Sequence, residues 1–252
     1  MTDKEESFFR KRITELRDIC FQRNIPTHSV FLNADEQAIL RTMRLSAGGV
    51  RMVTAGGLDD AERRVVFFLP AYLEEIPDDV LCYLKIAPAA PKFADALTHR
   101  DFLGALMSLG IRREMLGDIC IADNAAHLTA LSSVEETICR ELTGVKHTTV
   151  TVTPERLEDV VSVRHTEERS VNAASLRIDS LISAVWGVSR SASKELLMQG
   201  KVAVNSAIVT DGADTLSPGD ILSLRGKGRF RLLPGQHETR KGRLSLRVEV
   251  WI

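Results

Sequence analysis

The spacing of apolar residues changes several times along the chain, and each change marks an element. Between Glu5 and Asn24, Phe9, Ile13, Leu16 and Cys20 recur three or four apart among charged residues. This is the stripe of an amphipathic helix, ended by Asn24 and Pro26. Asn33, with Glu36 three residues later, predicts a capping box opening a second helix through Ile39, Leu40 and Met43. Val50–Thr54 and Val65–Leu69 read as strands on either side of Gly56–Gly57. These elements make a small N-terminal α/β unit, residues 1–75. A second group follows in the order strand Cys82–Ile86, helix Thr98–Leu109, strands Asp118–Ala122 and Ala126–Leu131, helix Val134–Leu142 and strand Thr148–Val152. This βαββαβ order is that of ferredoxin-like and RNA-recognition domains and is assigned to residues 76–153. Thr98 with Asp101 caps its first helix, Gly110 closes it, and Asp123–Asn124 supplies a tight turn. Residues 154–171 are polar, with charges around His165, and are expected to be a linker.

The last stretch, residues 172–252, has the most specific pattern. Leu181, Ile182 and Val185 share one side of a short helix that Gly187 breaks. Ser189 caps a second helix with Ala192, Leu196 and Gln199 on one face and Arg190 and Lys194 on another, and Gly200 stops it. Val202, Val204, Ile208 and Val209 read as two short strands around Asn205–Ser206, where Asn205 is a turn residue rather than a contact. Pro218–Gly219–Asp220 turns into a strand carrying Ile221, Leu222 and Leu224. Gly226–Lys227–Gly228–Arg229 then reads as a flexible loop with two cations at its tip. From Leu244 to Ile252 apolar and polar residues alternate strictly, as in a half-buried strand. Arg177-x-Asp179, Ser189-Arg190 with Ala192 and Leu196, Gly200-x-Val202-x-Val204-Asn205 and Gly219-Asp220-x-Leu222 follow one another in order. They resemble the RNA-binding domain named after ribosomal small-subunit protein four, here the S-four domain. The whole is an α+β, multidomain chain.

Charge is distributed unevenly. The 252 residues carry a formal net charge of −1, yet from Asn172 onward twelve Lys and Arg face seven Asp and Glu, about +5. A basic end on an acidic body suits a polyanion met by one face. Cys20, Cys82, Cys120 and Cys139 are scattered without a Cys-x-x-Cys pair, so reduced thiols are expected and neither a metal nor a disulfide framework. The first residues lack the apolar core of a signal segment, and no apolar run reaches the ~18 residues of a membrane span. A cytoplasmic protein without cofactor, membrane partner or small-molecule substrate is expected.

A second resemblance covers nearly the whole chain. Gly56–Arg64 (GGLDDAERR), Thr98–Ile119 (THRDFLGALMSLGIRREMLGDI) and Thr239–Arg243 (TRKGR) are similar to the YlmH family. These bacterial proteins have an N-terminal unit, a central RNA-recognition-like domain and a C-terminal S-four domain. The resemblance implies a ribosome-associated protein that binds rRNA or tRNA on large subunits obstructed by peptidyl-tRNA, in quality control of stalled translation.

The candidate RNA-binding residues follow from charge and spacing. Arg190 and Lys194, four apart, overlie each other on a helix, and guanidinium groups bind phosphates bidentately. A solvated basic face has the same pattern; Ser189 and Ser191 beside it and Arg177 ahead of it favour RNA. Lys201 continues the patch past the helix, and Arg225, Lys227, Arg229 and Arg231 lie on or beside the glycine-flanked loop. A solubilising hairpin tip is the alternative for those four. His99, Arg100, Arg112 and Arg113 form a possible second contact on the central domain, or an ordinary solvated turn. His99-Arg100-Asp101 superficially matches a kinase catalytic loop, but position 106 is Leu rather than Asn and no glycine-rich nucleotide loop exists. The central sheet lacks the aromatics that stack bases in RNA-recognition motifs; Tyr83 alone occurs on its first strand. No catalytic residue is assigned. The alternatives are an RNA-modifying enzyme, a pseudouridine synthase or rRNA methyltransferase relative in which Asp179 would act, and a cell-division adaptor using the acidic first two domains. The fragment from Asn172 onward is expected to keep most RNA affinity.

Overall fold

The computed structural model describes residues 2–45, 48–58, 61–162, 166–205, 207–238 and 242–251, with backbone only at 161 and 162. Ser206 of the predicted turn, His165 of the predicted linker, Thr239–Lys241 of the TRKGR run and Ile252 lie outside these residues. The chain divides into two compact units, Met1–Arg164 and His165–Ile252.

In the first unit, Thr2 and Glu5 form a capping box at the start of α1 (Asp3–Arg23), which buries Phe9, Ile13 and Cys20 and ends on Asn24 in the left-handed conformation. A two-residue strand β1 (Thr27–His28) follows, too short to leave a periodic trace in the sequence. The capping box of α2 (Ala34–Thr42) is the expected one: Glu36 N donates to Asn33 Oδ1 at 3.0 Å, and Asn33 N donates to the Glu36 carboxylate at 2.8 Å. Strands β2 (Val50–Ala55) and β3 (Val65–Pro70) join β1 in a sheet of order β1-β3-β2. Every residue of β3 is buried. Val66 and Phe68 pack with Phe9, Ile13 and Leu40 on the helix side, while Val65, Phe67 and Leu69 pack with Phe31 and Leu131 on the other.

The central elements are β4 (Leu81–Pro88), α3 (His99–Ser108), β5 (Leu116–Ala122), β6 (Ala125–Leu131), α4 (Glu135–Glu141), β7 (Gly144–Val145), β8 (Thr148–Pro154) and α5 (Leu157–Ser162). Their antiparallel sheet runs β5-β6-β4-β8-β7, the strand order of a ferredoxin-like fold with an added short edge. Phe102, Leu106 and Ile138 from α3 and α4 cover one face, on Leu84, Ile86, Leu116 and Leu128. Because Leu131 of β6 belongs to the core around β3, residues 1–75 and 76–153 share apolar contacts within a single compact unit. Polar contacts reinforce this junction. The pairing of β5 with β6 shifts register between Leu116 and Ile119. Arg63 donates from Nε to Leu116 O (3.0 Å) and from Nη2 to Phe31 O (3.0 Å), while the Asp118 carboxylate accepts the backbone N–H groups of Glu62 and Arg63.

The second unit opens with β9 (Thr166–Ala173), then α6 (Ile178–Trp186), α7 (Arg190–Met198), β10 (Val202–Val204), β11 (Ala207–Ile208), β12 (Ile221–Leu224), β13 (Gly228–Leu232), β14 (His237–Glu238) and β15 (Leu244–Trp251). The sheet runs β11-β10-β12-β13-β15, with β14 also pairing β15. Strand β9 pairs along the whole of β15, from Ala173 opposite Leu244 to Thr166 opposite Trp251. The stretch 154–171, expected as a linker, is therefore largely folded, with α5 in the first unit and β9 in the second. Its polar composition misled because β9 exposes most of its side chains and contributes main-chain hydrogen bonds instead. Helices α6 and α7 cover one face of this sheet, with Leu181, Ile182 and Leu197 against Val202, Leu222, Phe230 and Val248. The buried stripe of α7 runs through Ser193 and Leu197, not through Gln199, which is exposed.

Candidate nucleic-acid interface

The N-terminus of α7 is built by serines. Ser189 Oγ accepts the backbone N–H of Ala192 at 3.2 Å and lies 3.0 Å from Ser191 Oγ. Buried Ser193 returns its hydroxyl to Ser189 O at 3.0 Å, which fixes the helix rotation together with Leu197. With that side turned into the core, Arg190 and Lys194 are exposed, and Ser189 and Ser191 lie exposed at the same end. The first turn of a helix also presents unpaired N–H groups and a positive dipole end, so hydroxyls, N–H groups and cations converge there.

Beyond the far end of α7, Lys201 O accepts the backbone N–H of Arg225 at 2.9 Å. This joins Lys201 to the turn between β12 and β13. That turn is tight rather than a flexible loop: Lys227 N donates to Leu224 O at 2.9 Å, and β13 resumes at Gly228. Lys201, Arg225 and Lys227 are all exposed. Together with Arg190 and Lys194 they make five cations with no acidic side chain at ion-pair distance among the described residues.

The remaining predicted cations of this unit are engaged internally. Arg177, just ahead of α6, grips Asp179 with two hydrogen bonds, Nε to Oδ1 at 3.1 Å and Nη2 to Oδ2 at 3.0 Å. Asp179 is buried, its N–H donating to Gly212 O at 3.2 Å. A Cβ at Gly212 would stand 3.0 Å from the Asp179 Cβ and 2.9 Å from a Leu197 methyl, so a larger residue there would have to displace its neighbours. The Arg177 hydrogen bonds hold the Asp179 carboxyl below its ordinary pKa against the opposing effect of burial.

Arg229 and Arg231 sit in β13, not in the loop. Phe230 between them is fully buried, with its ring 5.3 Å from that of Trp186, so alternation places both arginines on the sheet face opposite the helices. There they lie 5.0 and 5.3 Å from the Trp251 ring, and Arg231 pairs with Glu249 at 2.9 Å. The ten predicted residues of this unit thus do not form one patch. Four side chains converge at the start of α7, three cations adjoin its far end, Arg177 is latched to Asp179, and two arginines occupy the reverse face. Trp251 and Glu249 were not singled out from the sequence, although their alternation was visible. Pairing Glu249 with Arg231 needs the β13–β15 register, which no local pattern encodes.

The second predicted group separates as well. His99 and Arg100 are exposed in the first turn of α3. Arg112 pairs with Glu114 at 2.9 Å. Arg113 turns inward and donates to Leu116 O (2.6 Å) and Gly117 O (3.2 Å). Desolvation, followed by the neighbouring Arg63 charge, pushes Arg113 down to about 10.

The sheet face that carries bases in RNA-recognition motifs is covered here. Tyr83 and Cys120 pack with Leu58, Ala61, Leu157 and Val160 from the β2–β3 connection and α5. Gly57 (φ +88) lies so close that a Cβ would stand 2.7 Å from the Tyr83 ring. His127, buried on β6, meets both Glu155 oxygens at 3.0 Å. Every residue of β6 is consequently buried. Among the described residues no cluster of His, Cys, Asp and Glu could hold a metal ion, the four cysteines form no disulfide, and no helix is long and apolar enough to cross a membrane.

Residues 81–159 match the family described as a putative RNA-binding domain in YlmH, and residues 176–222 match the S4 domain family. Over 247 residues the chain is 29% identical to the ribosome-associated protein quality control protein P2 of Bacillus subtilis (strain 168), covering 98% of this chain and 95% of the relative. It shares its fold with the solved structure of the cell division protein ylmH from Streptococcus pneumoniae, at a TM-score of 0.51 and 20% identity, over 63% of this chain and 96% of that one.

Proposed function

We propose that this chain, which carries the RNA-binding domain of YlmH followed by an S4 domain, is a non-catalytic, cytoplasmic, ribosome-associated protein. It acts in quality control of stalled translation and grips rRNA or tRNA on the large subunit. The relative from Bacillus subtilis, named for ribosome-associated quality control and similar over almost its whole length, supports the setting.

The observation that carries the reading is the set of uncompensated cations at the two ends of α7. Arg177, Arg231 and Arg247 each have a carboxylate partner, whereas Arg190, Lys194, Lys201, Arg225 and Lys227 have none at ion-pair distance among the described residues. Cations held on rigid elements without internal partners keep their attraction for an external polyanion. Guanidinium, ammonium and serine hydroxyl groups at a helix start contact phosphate and sugar rather than base edges, which suits structured RNA read by shape. The enzyme alternative is the less favoured reading, since its one candidate residue, Asp179, is buried and paired with Arg177. Cross-linking the full chain to cellular RNA and mapping the adducts tests the reading. Adducts on the α7 peptide joined to large-subunit rRNA or to tRNA are expected; adducts confined to mRNA or to the small subunit contradict it.

A further inference from the structure

The central domain matches a family described as RNA-binding, yet the sheet face such domains use is closed, Arg113 is turned inward, and exposed Arg112 is paired with Glu114. The most exposed large apolar side chain among the described residues lies elsewhere on this domain: Phe93, 90% exposed. It sits on a 3-10 turn, Pro91–Phe93, between β4 and α3.

The ring is held outward by a pinned loop. Phe93 N donates to Ala90 O at 3.1 Å inside the turn, and Ala89 N donates to Thr149 O at 2.9 Å before it. After it, Asp95 N donates to Thr148 Oγ1 (2.9 Å), Asn124 Nδ2 to Asp95 O (2.8 Å) and Leu97 N to Asn124 Oδ1 (2.8 Å). A phenylalanine on a loose loop can fold back onto the surface. A loop tied to β8 on both sides, and to the β5–β6 turn, does not permit that collapse.

The same hydrogen bonds bring polar neighbours to this end of the domain. Exposed Lys92 precedes the ring, and exposed His147 precedes Thr148. Lys146 reaches Asp101 at 2.8 Å, which sets the β7–β8 turn beside the start of α3 and exposed Arg100. Asp95, Asp101 and Asp123 share the region, so its net charge is small and it is no electrostatic funnel. A flat apolar ring with scattered donors fits the π-face of an unpaired base better than a phosphate row.

We infer that Phe93 is a stacking platform for an unpaired nucleobase of RNA, and that the central domain meets RNA through this loop end rather than through its sheet. The inference rests on the reading of the chain as an RNA-binding protein and adds a second, chemically different contact. Its test uses the full chain and two labelled RNAs, a blunt hairpin and the same hairpin with a single-stranded tail of about eight adenosines, followed by fluorescence anisotropy. Base–aromatic stacking predicts that the tailed RNA binds about five- to a hundredfold more tightly. Phe93→Ala is expected to abolish that preference while leaving hairpin affinity and thermal melting unchanged, and Phe93→Trp to keep it. The preference should persist as salt rises, since stacking releases no counterions.

Reversing Arg190 and Lys194 to Glu should lower both affinities without changing their ratio. Failure of the α7 reading (hairpin affinity unmoved by that reversal) is thus distinct from failure of this one (ratio unmoved by Phe93→Ala). A wild type that binds the tailed RNA no better than the blunt one, or not at all, overturns the inference. So does a Phe93→Ala chain that keeps the preference. The same holds if it loses co-sedimentation with ribosomes while keeping the preference, which would point to a protein contact.

Discussion

The difference between Arg177 and Arg190 is one of partners, not of residue type. Thirteen positions separate them, yet one guanidinium closes on a buried carboxylate and the other stands in solvent. Replacing Asp179 by Ala removes a buried, doubly hydrogen-bonded acceptor. It is expected to lower the stability of the second unit by about 1–3 kcal/mol in urea titrations, the range for losing such a partner. A change within about 0.5 kcal/mol, typical of a surface site, would show the pair to be incidental. The equivalent residue in the first unit is Gly57. An added Cβ meets the Tyr83 ring at 2.7 Å in a backbone region that L-residues disfavour. Gly57→Ala is expected to destabilise the first unit by roughly 2–4 kcal/mol, summing overpacking and left-handed strain. Affinity for a simple RNA hairpin should be unaffected, because that contact is assigned to α7.

At the level of elements, α3 is tied down by charge. Asp101 accepts from Lys146, then from Thr98 Oγ1 and Thr98 N, contacts that bring its carboxyl down to about 2 from 3.8. A carboxylate with a depressed folded pKa adds stability above its unfolded pKa and loses it as pH falls through the folded one. The contribution is therefore complete above about pH 5 and disappears between pH 3.8 and 2. A carbon-detected NMR titration should give Asp101 a midpoint near 2; a midpoint near 3.8 would mean that the Lys146 and Thr98 contacts do not form in solution. Strand β9 yields a second test. It pairs with eight residues of β15, so a fragment beginning at Thr166 should melt cooperatively and bind RNA. One beginning at Ala174 leaves the long edge of β15 bare and should aggregate or melt lower. Equal melting of the two would make β9 dispensable.

The same strand shows what the sequence could reveal. Helices with capping boxes at Asn33 and Thr98, the βαββαβ order and the alternation from Leu244 were legible, because each depends on residues a few positions apart. Strand β9 was not: its side chains are mostly exposed, so neither periodicity nor hydrophobicity betrays it. The covered face of the central sheet was equally invisible, since Leu58 and Val160 approach Tyr83 from segments 25 and 77 residues away. The grouping at the start of α7, proposed above as the RNA contact, was readable because Ser189, Arg190, Ser191 and Lys194 lie within six positions. Whether a given arginine is spent on an internal carboxylate, as Arg231 is on Glu249, depends on strand register and had to be seen.

For the whole molecule, the account predicts binding dominated by charge. About five neutralised phosphates should reduce affinity roughly a hundredfold or more between 50 and 200 mM salt. A nearly flat salt dependence would contradict a phosphate-tracking surface. Because the chain is assigned no chemistry, mass analysis of ribosomal RNA from cells lacking the protein is expected to match wild type, nucleotide for nucleotide. One missing methyl group or pseudouridine would instead support the modifying-enzyme alternative.

The most direct test reverses Arg190 and Lys194 to Glu and follows the full chain through a sucrose gradient of ribosomal subunits at moderate salt. Both residues are exposed on a helix whose capping and buried side do not involve them, so circular dichroism and melting should stay near wild type. The reversal replaces attraction by repulsion where the RNA backbone is expected to lie. Wild-type protein should travel with large subunits, and the folded double variant should remain at the top of the gradient. A folded variant that still travels with the subunits as wild type does would show that α7 is not the anchor.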